Sequence, residues 1–526
     1  MRTARRIIGL ITALTLATAA CSSGTASPTD RLVLAETQPL GGFNPLTGYG
    51  ELGVSPIYEG LYRPNAPSDA TVPNLEPALA AAPPERIAPR TWRIQLRSGV
   101  TFSDGTALVA ADVVATYRAA RDPAVAADVA THVAPVNDVT PDADGAVTVT
   151  LNTDGDPTPY LLLGIVPSER VENRPAAQWS LNRQPVGTGA YRLESLNNDQ
   201  AVLVARTDRS GEPPAVRRVV YTLVPDDNAR AQRVRAGEVD GALLPPKLAA
   251  SLDGKDGVRT VTVKSADWRG ISLPAGNPFT ADPAARRAMN LGVDRAAIIS
   301  GVLAGAGEPA STPYSSVYGP AYEPGAQFGF DADGARRTLD AAGWLTGPDG
   351  VRSRDGRTAA FALLYNAQDS VRRDLAVAFA AAMKPLGIAV NPQGSSWDDI
   401  EQRTGDSAIV LGGGETPFSI DAQGYDTLHT RVPNSSPYSN PGNFTAPGLD
   451  GLLDRARNLE PGPAKDESYR QVQRAYAAEP SSVFLVHLHH VYAVRANGWT
   501  YAPPILEPHS HGVTWGPWWK LASWQR

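Results

Sequence analysis

Apolar and polar residues alternate from Trp92 to Arg97, and the alternation resumes at Val100 and Phe102 after a turn at Ser98-Gly99. A period of two residues predicts a strand with one buried face. The segment AADVVATYRAARD follows after a turn and predicts a helix, with Asp112 in the first turn, where the helix dipole favours a negative charge. Val109 occupies the N-cap position and offers no hydroxyl, so we expect a weak cap.

Short helices and strands continue along the chain. Asp282, with Pro283 at the first helical position, and Asp294 are predicted to cap two successive helices, and FDADGARRTLDAAGW predicts a third. The segment SVRRDLAVAFAAAMKPLGIAVNPQG predicts a helix followed by a strand, and SSVFLVHLHHVYAVR predicts one apolar strand late in the chain. This alternation indicates the α/β or α+β class, and we take α/β as the prediction.

Composition narrows the class of protein. At about 150 residues per domain, a chain of 526 residues predicts two to four domains or lobes with large cores. Hydrophobic residues make up 42% and charged residues 19% of the chain, which is typical of a globular protein. The net charge of −6 and the absence of a basic patch in the sequence argue against a nucleic-acid partner.

The first residues, MRTARRIIGLITALTLATAAC, combine arginines, an apolar run and Cys21. The run is shorter than the about 20 residues that span a bilayer, which is typical of a secretory signal. Cys21 is the only cysteine, so no intrachain disulfide can form. The segment resembles a bacterial lipoprotein signal, which implies a signal peptide over residues 1–21, a lipidated Cys21 and a tether over residues 22–31. The alternative is an ordinary cleaved signal with an incidental cysteine.

Five segments together resemble the extracytoplasmic solute-binding proteins of peptide and nickel ABC importers, known as family 5. They are WRIQLRSGVTFSDGTALVAADV, PVGTGAYRL, ARRAMNLGVDRAAIISGVLAGAGEPA, FDADGARRTLDAAGW and YSNPGNFTAPGLDGLLDRA. The resemblance covers nearly the whole chain after the signal. It implies a monomer with a two-lobed fold similar to type II periplasmic binding proteins, lipid-anchored at the outer face of the cell membrane.

The resemblance also implies where the lobes divide. Lobe I would comprise residues 32–267 and 484–526, with a small subdomain at about 61–184, and lobe II would comprise residues 268–483. Two crossovers, near Trp268 and Phe484, would form a hinge. A ligand buried between the lobes would pass to a membrane permease, and a separate ATPase subunit would drive transport, because this sequence contains no P-loop.

A small peptide is the leading ligand class. Peptide binders of the family meet the ligand's α-amino group with a second-lobe carboxylate, and Glu415 and Asp421 are the acidic candidates in LGGGETPFSIDAQGYDTLHTRV. Either could instead be a solvated or capping carboxylate. Four aromatic residues could form the wall of the site or simply pack in the core: Trp268, Trp397, Phe418 and Tyr425.

A nickel or other metal chelate is the alternative ligand. The segments ETPFSID, TRVP and WTYAPPILEP resemble the nickel-binding branch of the family. That branch's metal-contacting histidine falls at Asn434 or Ser435, its tryptophan at Gly414 and its tyrosine at Phe418. The framework is therefore shared, whereas the ligand-contacting side chains mostly differ.

Five of the seven histidines lie near the end of the chain: His487, His489, His490, His509 and His511. Imidazole binds zinc, copper and nickel well, so His487, His489, His509 and His511 are weak metal candidates. The alternative places them in a strand and a polar loop. The sequence contains no G-x-S-x-G or H-E-x-x-H motif, so we expect a binding protein without a cofactor, and a metallohydrolase using these histidines is the least favoured interpretation.

Overall fold

The computed structural model describes residues 30–432, 436–495, 498–509 and 512–526. The predicted signal peptide with Cys21, the positions Asn434 and Ser435, and His511 lie outside the described residues. The predicted tether also lies outside them, except for its last two residues. Arg31 does not belong to a tether, because it begins the first strand.

The described residues form strands and helices that alternate along the chain, and the class is α/β as predicted. The strands are β1 Arg31–Glu36, β2 Tyr62–Asn65, β3 Asn74–Pro77, β4 Glu85–Ala88, β5 Thr91–Ile94, β6 Val136–Pro141, β7 Val147–Leu151, β8 Tyr191–Leu196, β9 Gln200–Ala205, β10 Arg218–Leu223, β11 Gly241–Leu244, β12 Val258–Val263, β13 Trp268–Ser272, β14 Gly307–Pro309, β15 Leu345–Thr346, β16 Arg352–Arg354, β17 Arg357–Thr358, β18 Ala360–Asn366, β19 Ala389–Ser395, β20 Ala408–Gly413, β21 Ser482–Leu488 and β22 His490–Arg495. The helices are α1 Ala110–Arg121, α2 Asp227–Ala236, α3 Pro246–Leu252, α4 Pro283–Leu291, α5 Arg295–Leu303, α6 Ala332–Ala341, α7 Ser370–Met383, α8 Trp397–Glu401, α9 Ile420–Leu428, α10 Leu449–Arg457 and α11 Pro463–Ala478.

Two large sheets form the centres of the two lobes. The first has the order β12-β22-β11-β1-β10-β9-β8, and the second has the order β14-β21-β13-β20-β18-β19. In the first sheet β1 runs parallel to both β10 and β11, and in the second β18 runs parallel to both β19 and β20. A separate four-stranded sheet, β4-β5-β7-β6, packs with α1 as a smaller unit beside the first sheet.

Local capping determines where several helices begin. The Asp282 side chain accepts a hydrogen bond from the backbone of Ala284 at the start of α4, and Pro283 occupies the first helical position. Asp294 caps α5 through the backbone N–H of Ala297. At α1 the N-cap residue Val109 has no side-chain acceptor. Instead, the Asp112 side chain in the first turn accepts a hydrogen bond from the backbone N–H of Val109 at 2.9 Å. The sequence therefore predicted these three helix starts correctly.

The late apolar segment is not one strand. It divides into β21, which pairs with β13 and β14 in the second sheet, and β22, which pairs with β11 and β12 in the first. His489 is the single residue between these two strands. The chain therefore returns to the first sheet at His490, later than the crossover expected near Phe484, which lies inside β21. The other crossing runs from the end of β12 at Val263 to the start of β13 at Trp268.

Each lobe has its own apolar core. One continuous cluster joins the first sheet to the smaller unit and contains the fully buried Trp179 and Tyr191. The second lobe packs its helices on both sides of its sheet, with the rings of Phe279 and Trp344 in edge-to-face contact at 4.9 Å between centroids. No helix among the described residues is long and apolar enough to cross a bilayer.

Candidate ligand-binding cleft

A cavity of about 320 Å³ lies at the carboxyl end of β1. The loop 36–54 forms most of its wall, and Tyr221 and the segment 512–515 close the remainder. Because β1 has a parallel neighbour on each side, β10 and β11, the order of the strands reverses at β1 and its carboxyl end is a topological switch point. Ligands of α/β proteins bind at such switch points, so the topology makes this cavity the first candidate for a ligand site.

Polar and glycine residues hold the wall loop in shape. The buried side chain of Asn44 accepts a hydrogen bond from the backbone of Leu46 and donates one to the Ala176 carbonyl, which anchors the short turn Pro45–Thr47. Gly50 has a φ of 69°, and a Cβ atom there would lie 2.5 Å from the Ser55 Cβ. The loop therefore needs glycine at this tight turn.

Aromatic rings and carboxylates line the cavity. The aromatic residues are Phe43, Tyr49, Tyr221 and Trp515, and the acidic residues are Glu36 and Glu51. Glu36 is the last residue of β1, and its Oε1 accepts hydrogen bonds from the backbone of Thr37 at 2.6 Å and of Gln38 at 3.3 Å. Burial raises the pKa of Glu36 despite these hydrogen bonds.

The cavity faces the second lobe. The ring of Phe418 lies 6.5 Å from that of Trp515, and Phe418 packs with the core of the first lobe. His132 forms an ion pair with Glu51 at 3.0 Å. Burial would lower the pKa of His132, but the charge of Glu51, with those of Glu415 and Asp426 from the second lobe, raises it. Of the sequence candidates, Phe418 therefore lies beside the wall residue Trp515, and Glu415 is close enough to His132 to affect its pKa.

Asp421 has a different environment. It is 5% exposed, its Oδ2 accepts from Arg457 at 2.9 Å and its Oδ1 accepts from the Tyr469 hydroxyl at 3.2 Å. Its charge is therefore already compensated within the second lobe. Tyr425 belongs to the same cluster, because the Arg457 guanidinium lies over its ring and its hydroxyl donates to Asp454 at 2.7 Å.

The two candidate tryptophans do not line the cavity. Trp268 is 7% exposed and packs edge-to-face on Phe484 in the second-lobe core, at 4.8 Å between centroids. Trp397 is 36% exposed and packs against Tyr438 and the Arg372 guanidinium on another part of that lobe. The structure therefore gives both side chains packing partners outside the cavity wall.

A network of buried charged groups occupies the two crossovers. Asp267 and Glu507 are both 0% exposed, and His490 lies between them, with Nδ1 at 2.6 Å from Glu507 and Nε2 at 3.2 Å from Asp267. Arg269 donates to Asp267 at 2.6 Å, and His509 Nδ1 lies 2.8 Å from the other oxygen of Asp267. Two carboxylate partners require two N–H donors, so the geometry favours the imidazolium form of His490.

The pKa values in this network follow from burial and from its partners. Burial alone would raise the pKa of Asp267, but Arg269 and His509 hold it well below its usual range. Burial would lower the pKa of His490, yet Asp267 and Glu507 raise it. At Glu507 burial prevails, and the pKa of the carboxyl is raised.

The described histidines near the end of the chain therefore differ in their surroundings and partners. His487 is buried, and burial lowers its pKa to about 4. His489 lies 3.7 Å from Glu308, which also pairs with Lys264. Among the described residues no group of three or more His, Cys, Asp or Glu side chains is arranged to hold a metal ion.

Comparison with known proteins identifies the family. The bacterial extracellular solute-binding proteins of family 5 (Middle) match residues 74–435. The chain belongs to this family. Protein XP55 of Streptomyces lividans is 36% identical over 462 residues, which cover 87% of this chain and 83% of that protein. The oligopeptide-binding protein AppA of Bacillus subtilis is 25% identical over 451 residues, 82% of each chain.

Solved structures show the same fold as this family 5 protein. NikZ from Campylobacter jejuni, in complex with Ni(L-His), superposes with a TM-score of 0.83 at 20% identity and covers 95% of this chain and 100% of its own. AppA from Bacillus subtilis, in complex with a nonapeptide, gives a TM-score of 0.77 at 23% identity, covering 94% and 98%. The two-lobed periplasmic binding-protein architecture implied by the sequence is therefore confirmed.

Sequence reasoning missed the residues of the first lobe that line the cavity of this family 5 protein. Glu36, Glu51 and Trp515 were not among the candidates, and neither was His132, which lies outside the wall and pairs with Glu51. One signal was available, because Glu36 directly follows an apolar strand, RLVLA, and the carboxyl end of a parallel strand is where ligands bind. The proximity of His132 and Trp515 depends on tertiary packing.

Proposed function

We propose that the protein is the solute-binding component of an ABC importer and captures short peptides between its lobes. The observation that best supports this function is the cavity at the carboxyl end of β1, which belongs to the first lobe and has Phe418 of the second lobe beside its wall residue Trp515. The proposed lobes divide where the chain changes sheets, at 264–267 and at His489. Membership of the solute-binding family supports the same function.

Polar contacts across the cleft support a mechanism of capture by closure. Arg86 of the smaller unit pairs with Glu460 of the second lobe at 3.0 Å, and Ser370 donates to Asp227 of the first lobe at 2.7 Å. A ligand that contacts both lobes would add to these contacts and shift the population toward the closed form. The proposed closed form delivers the unchanged ligand to a permease that a separate ATPase drives.

Glu415 is the proposed second-lobe anchor for the ligand's α-amino group. Its charge raises the pKa of His132 in the first lobe, its side chain is 40% exposed, and its Oε1 lies 3.8 Å from His509 Nε2. Asp421 is the weaker of the two candidates, because it is only 5% exposed and is held by Arg457 inside the second lobe. A desolvated ammonium group needs a carboxylate partner, and the more exposed Glu415 is the more accessible to a ligand.

The printed functions of relatives favour peptides without excluding metal chelates. AppA is named as an oligopeptide-binding protein, and GsiB of Escherichia coli, 28% identical over 229 residues, as a glutathione-binding protein. A nickel-binding periplasmic protein of Escherichia coli is 25% identical over 241 residues. The acidic and aromatic cavity wall suits an organic cation such as the ammonium group of a peptide, which supports peptides as the leading ligand class.

We further propose that Cys21 is lipidated and holds the protein at the outer face of the cell membrane. The signal-like segment before Cys21 and its place as the only cysteine support this location. We expect radioactive palmitate to label the mature protein. A Cys21→Ser variant should lose the label and leave the membrane fraction.

Native mass spectrometry of protein purified from its host tests the proposed function. We expect added mass that matches short peptides and that disappears on denaturation. A single metal-containing adduct would replace the peptide proposal with the chelate alternative. Release of a chemically altered ligand would contradict capture without catalysis.

The anchor is tested with a matched pair of variants. Glu415→Gln should weaken binding of a peptide with a free α-amino group by about tenfold, as expected for the loss of a charge-assisted hydrogen bond. Glu401→Gln removes a carboxylate from the exposed end of α8 in the same lobe and should leave binding unchanged. Equal binding of the N-acetylated peptide to wild-type protein would exclude the amine anchor.

A further inference from the structure

The side chains of the cavity wall indicate which charge the ligand should carry. Four aromatic side chains and two carboxylates line it, and the described residues of the wall include no lysine, arginine or histidine. We propose that the cavity is selective for a cationic group, the ammonium or guanidinium of a compact ligand such as a short peptide with a lysine or arginine side chain. This inference rests on the proposed function and specifies its ligand class.

Glu36 is the residue on which the proposal depends. Its carboxylate accepts hydrogen bonds from the Thr37 and Gln38 backbones, and no Lys, Arg or His side chain among the described residues lies within ion-pair distance of it. Burial raises its pKa because these neutral donors do not offset the lost hydration. A half-buried carboxylate that pairs with no cation among the described residues is suited to receive one from a ligand.

Glu51 differs from Glu36 in this respect. His132 lies 3.0 Å from Glu51, and Glu51 is the nearest of the acidic groups that raise the pKa of that histidine. Glu51 therefore has a cationic partner of its own inside the protein. Of the two carboxylates in the cavity, Glu36 is the one left for the ligand.

The aromatic residues complete a site for a cation. The rings of Phe43 and Tyr49 meet edge-to-face at 5.1 Å between centroids, and Tyr49 and Tyr221 are both close enough to Glu36 to interact with its charge. Aromatic faces attract ammonium and guanidinium groups, most strongly where water is excluded. Rings and carboxylate together therefore favour an organic cation over a neutral or anionic group.

The size of the cavity limits the ligand. About 320 Å³ is at the lower end of the roughly 300–1,000 Å³ range of ligand pockets. An extended nonapeptide spans about 30 Å and would not fit inside. The cavity therefore suits a compact solute, or one side chain of a short peptide.

Isothermal titration calorimetry with three tripeptides tests the proposal: Ala-Lys-Ala, Ala-Gln-Ala and Ala-Glu-Ala. All three share the same α-amino and α-carboxyl groups, so differences in affinity report only the central side chain. We expect Ala-Lys-Ala to bind wild-type protein about tenfold or more tightly than Ala-Gln-Ala, and Ala-Glu-Ala to bind most weakly. Glu36→Gln should abolish the preference for lysine.

Glu59→Gln is the matched control. Glu59 is a half-buried carboxylate of the same lobe, lies outside the cavity wall and pairs with Arg209 at 3.0 Å. This variant should keep the lysine preference. Glu36→Asp, which retains the charge, should keep part of it, and thermal unfolding of each free variant checks that the protein is folded.

The outcomes separate this inference from the proposed function. Equal affinity of the wild type for all three tripeptides, or an unchanged preference in folded Glu36→Gln, would overturn the cation proposal and leave peptide capture intact. Binding of none of the three, together with the absence of peptide in native mass spectra, would overturn the proposed function and this inference with it.

Discussion

Two regions of the molecule hold carboxylates away from water in different ways. At the crossovers, Asp267 and Glu507 share His490, and Arg269 also donates to Asp267, so each carboxylate has a positive partner inside the protein. In the cavity, Glu36 accepts hydrogen bonds from the backbone of Thr37 and Gln38 and from the Thr37 hydroxyl, and no Lys, Arg or His side chain of the described residues forms an ion pair with it. The pKa of Asp267 is held well below its usual range by its partners, whereas burial raises the pKa of Glu507 and of Glu36.

This contrast distinguishes structural from functional charge. Compensated charges at the crossovers fix the geometry of the two connections between the lobes, since every partner is built into the fold. An uncompensated carboxylate costs stability in the free protein, and such groups cluster at functional sites. Asp267 and Glu507 therefore stabilise the crossovers, and Glu36 is the carboxylate that we propose meets the ligand.

The largest expected effect comes from breaking the compensated network. Asp267→Asn would leave Arg269 and His490 buried without their shared carboxylate, and should lower the free energy of unfolding by about 3–5 kcal/mol. Urea denaturation followed by tryptophan fluorescence measures the loss. Glu36→Gln in the same assay should not destabilise the free protein at pH 7, because it removes a half-buried charge that pairs with no cation among the described residues.

Glu194→Gln is the control for this comparison. Glu194 pairs with Arg218 on the exposed surface of the first sheet, and such pairs contribute about 0–1 kcal/mol. If Asp267→Asn cost no more than Glu194→Gln, the crossover network would not be a structural element.

His487 and His490 lie in consecutive strands, β21 and β22, and should contribute to stability over different pH ranges. Because the pKa of His490 is raised in the folded state, its contribution is fully present below pH 6.5 and is lost as pH rises through the folded value. His487, with a pKa lowered to about 4, contributes stability above pH 6.5 that is lost as pH falls toward 4.

The test is the urea midpoint between pH 4 and pH 9. His490→Gln should cost roughly 2 kcal/mol at pH 6 and flatten the alkaline side of the profile. His487→Gln should flatten only the acid side. Each variant serves as the control for the other, and the same change on both sides in either variant would contradict the assignment of the two protonation states.

The smallest expected effect concerns the exposed pair across the cleft. Arg86→Ala removes its ion pair with Glu460 and should weaken peptide binding by at most about fivefold, with the difference vanishing at high salt. Arg90→Ala is a matched control, because Arg90 is equally exposed, at 44% against 45%, and its partner Asp154 belongs to the same lobe. Calorimetry at low and high salt distinguishes them, and equal losses in both variants would exclude a role in closure.

Local sequence predicted the elements whose determinants are local. The starts of the helices after Asp282 and Asp294 are determined by a capping side chain together with a neighbouring proline or apolar face. All of these residues lie within one helical turn. The division at His489 was missed for a physical reason. A continuous apolar run indicates a buried strand but does not say which sheet it joins, and the two halves of this run join different sheets.

The candidate site was predictable only in its second-lobe half. Glu415 and Phe418 follow β20 in one short segment, which the family resemblance indicated. Asp421 lies in the same segment, but its partner Arg457 belongs to α10. The local sequence therefore could not predict that the charge of Asp421 is already paired. Glu36 and Trp515 lie at opposite ends of the chain and meet only because the last segment packs against the first strand.

The position of β22 in the first sheet has a consequence for the order in which the protein can fold. This strand comes late in the chain, yet it lies between β11 and β12 and pairs with both. Until β22 is in place, β11 and β12 each have an unpaired edge, and such edges are prone to aggregate. The sheet of the first lobe is therefore completed only after the whole of the second lobe has been synthesised.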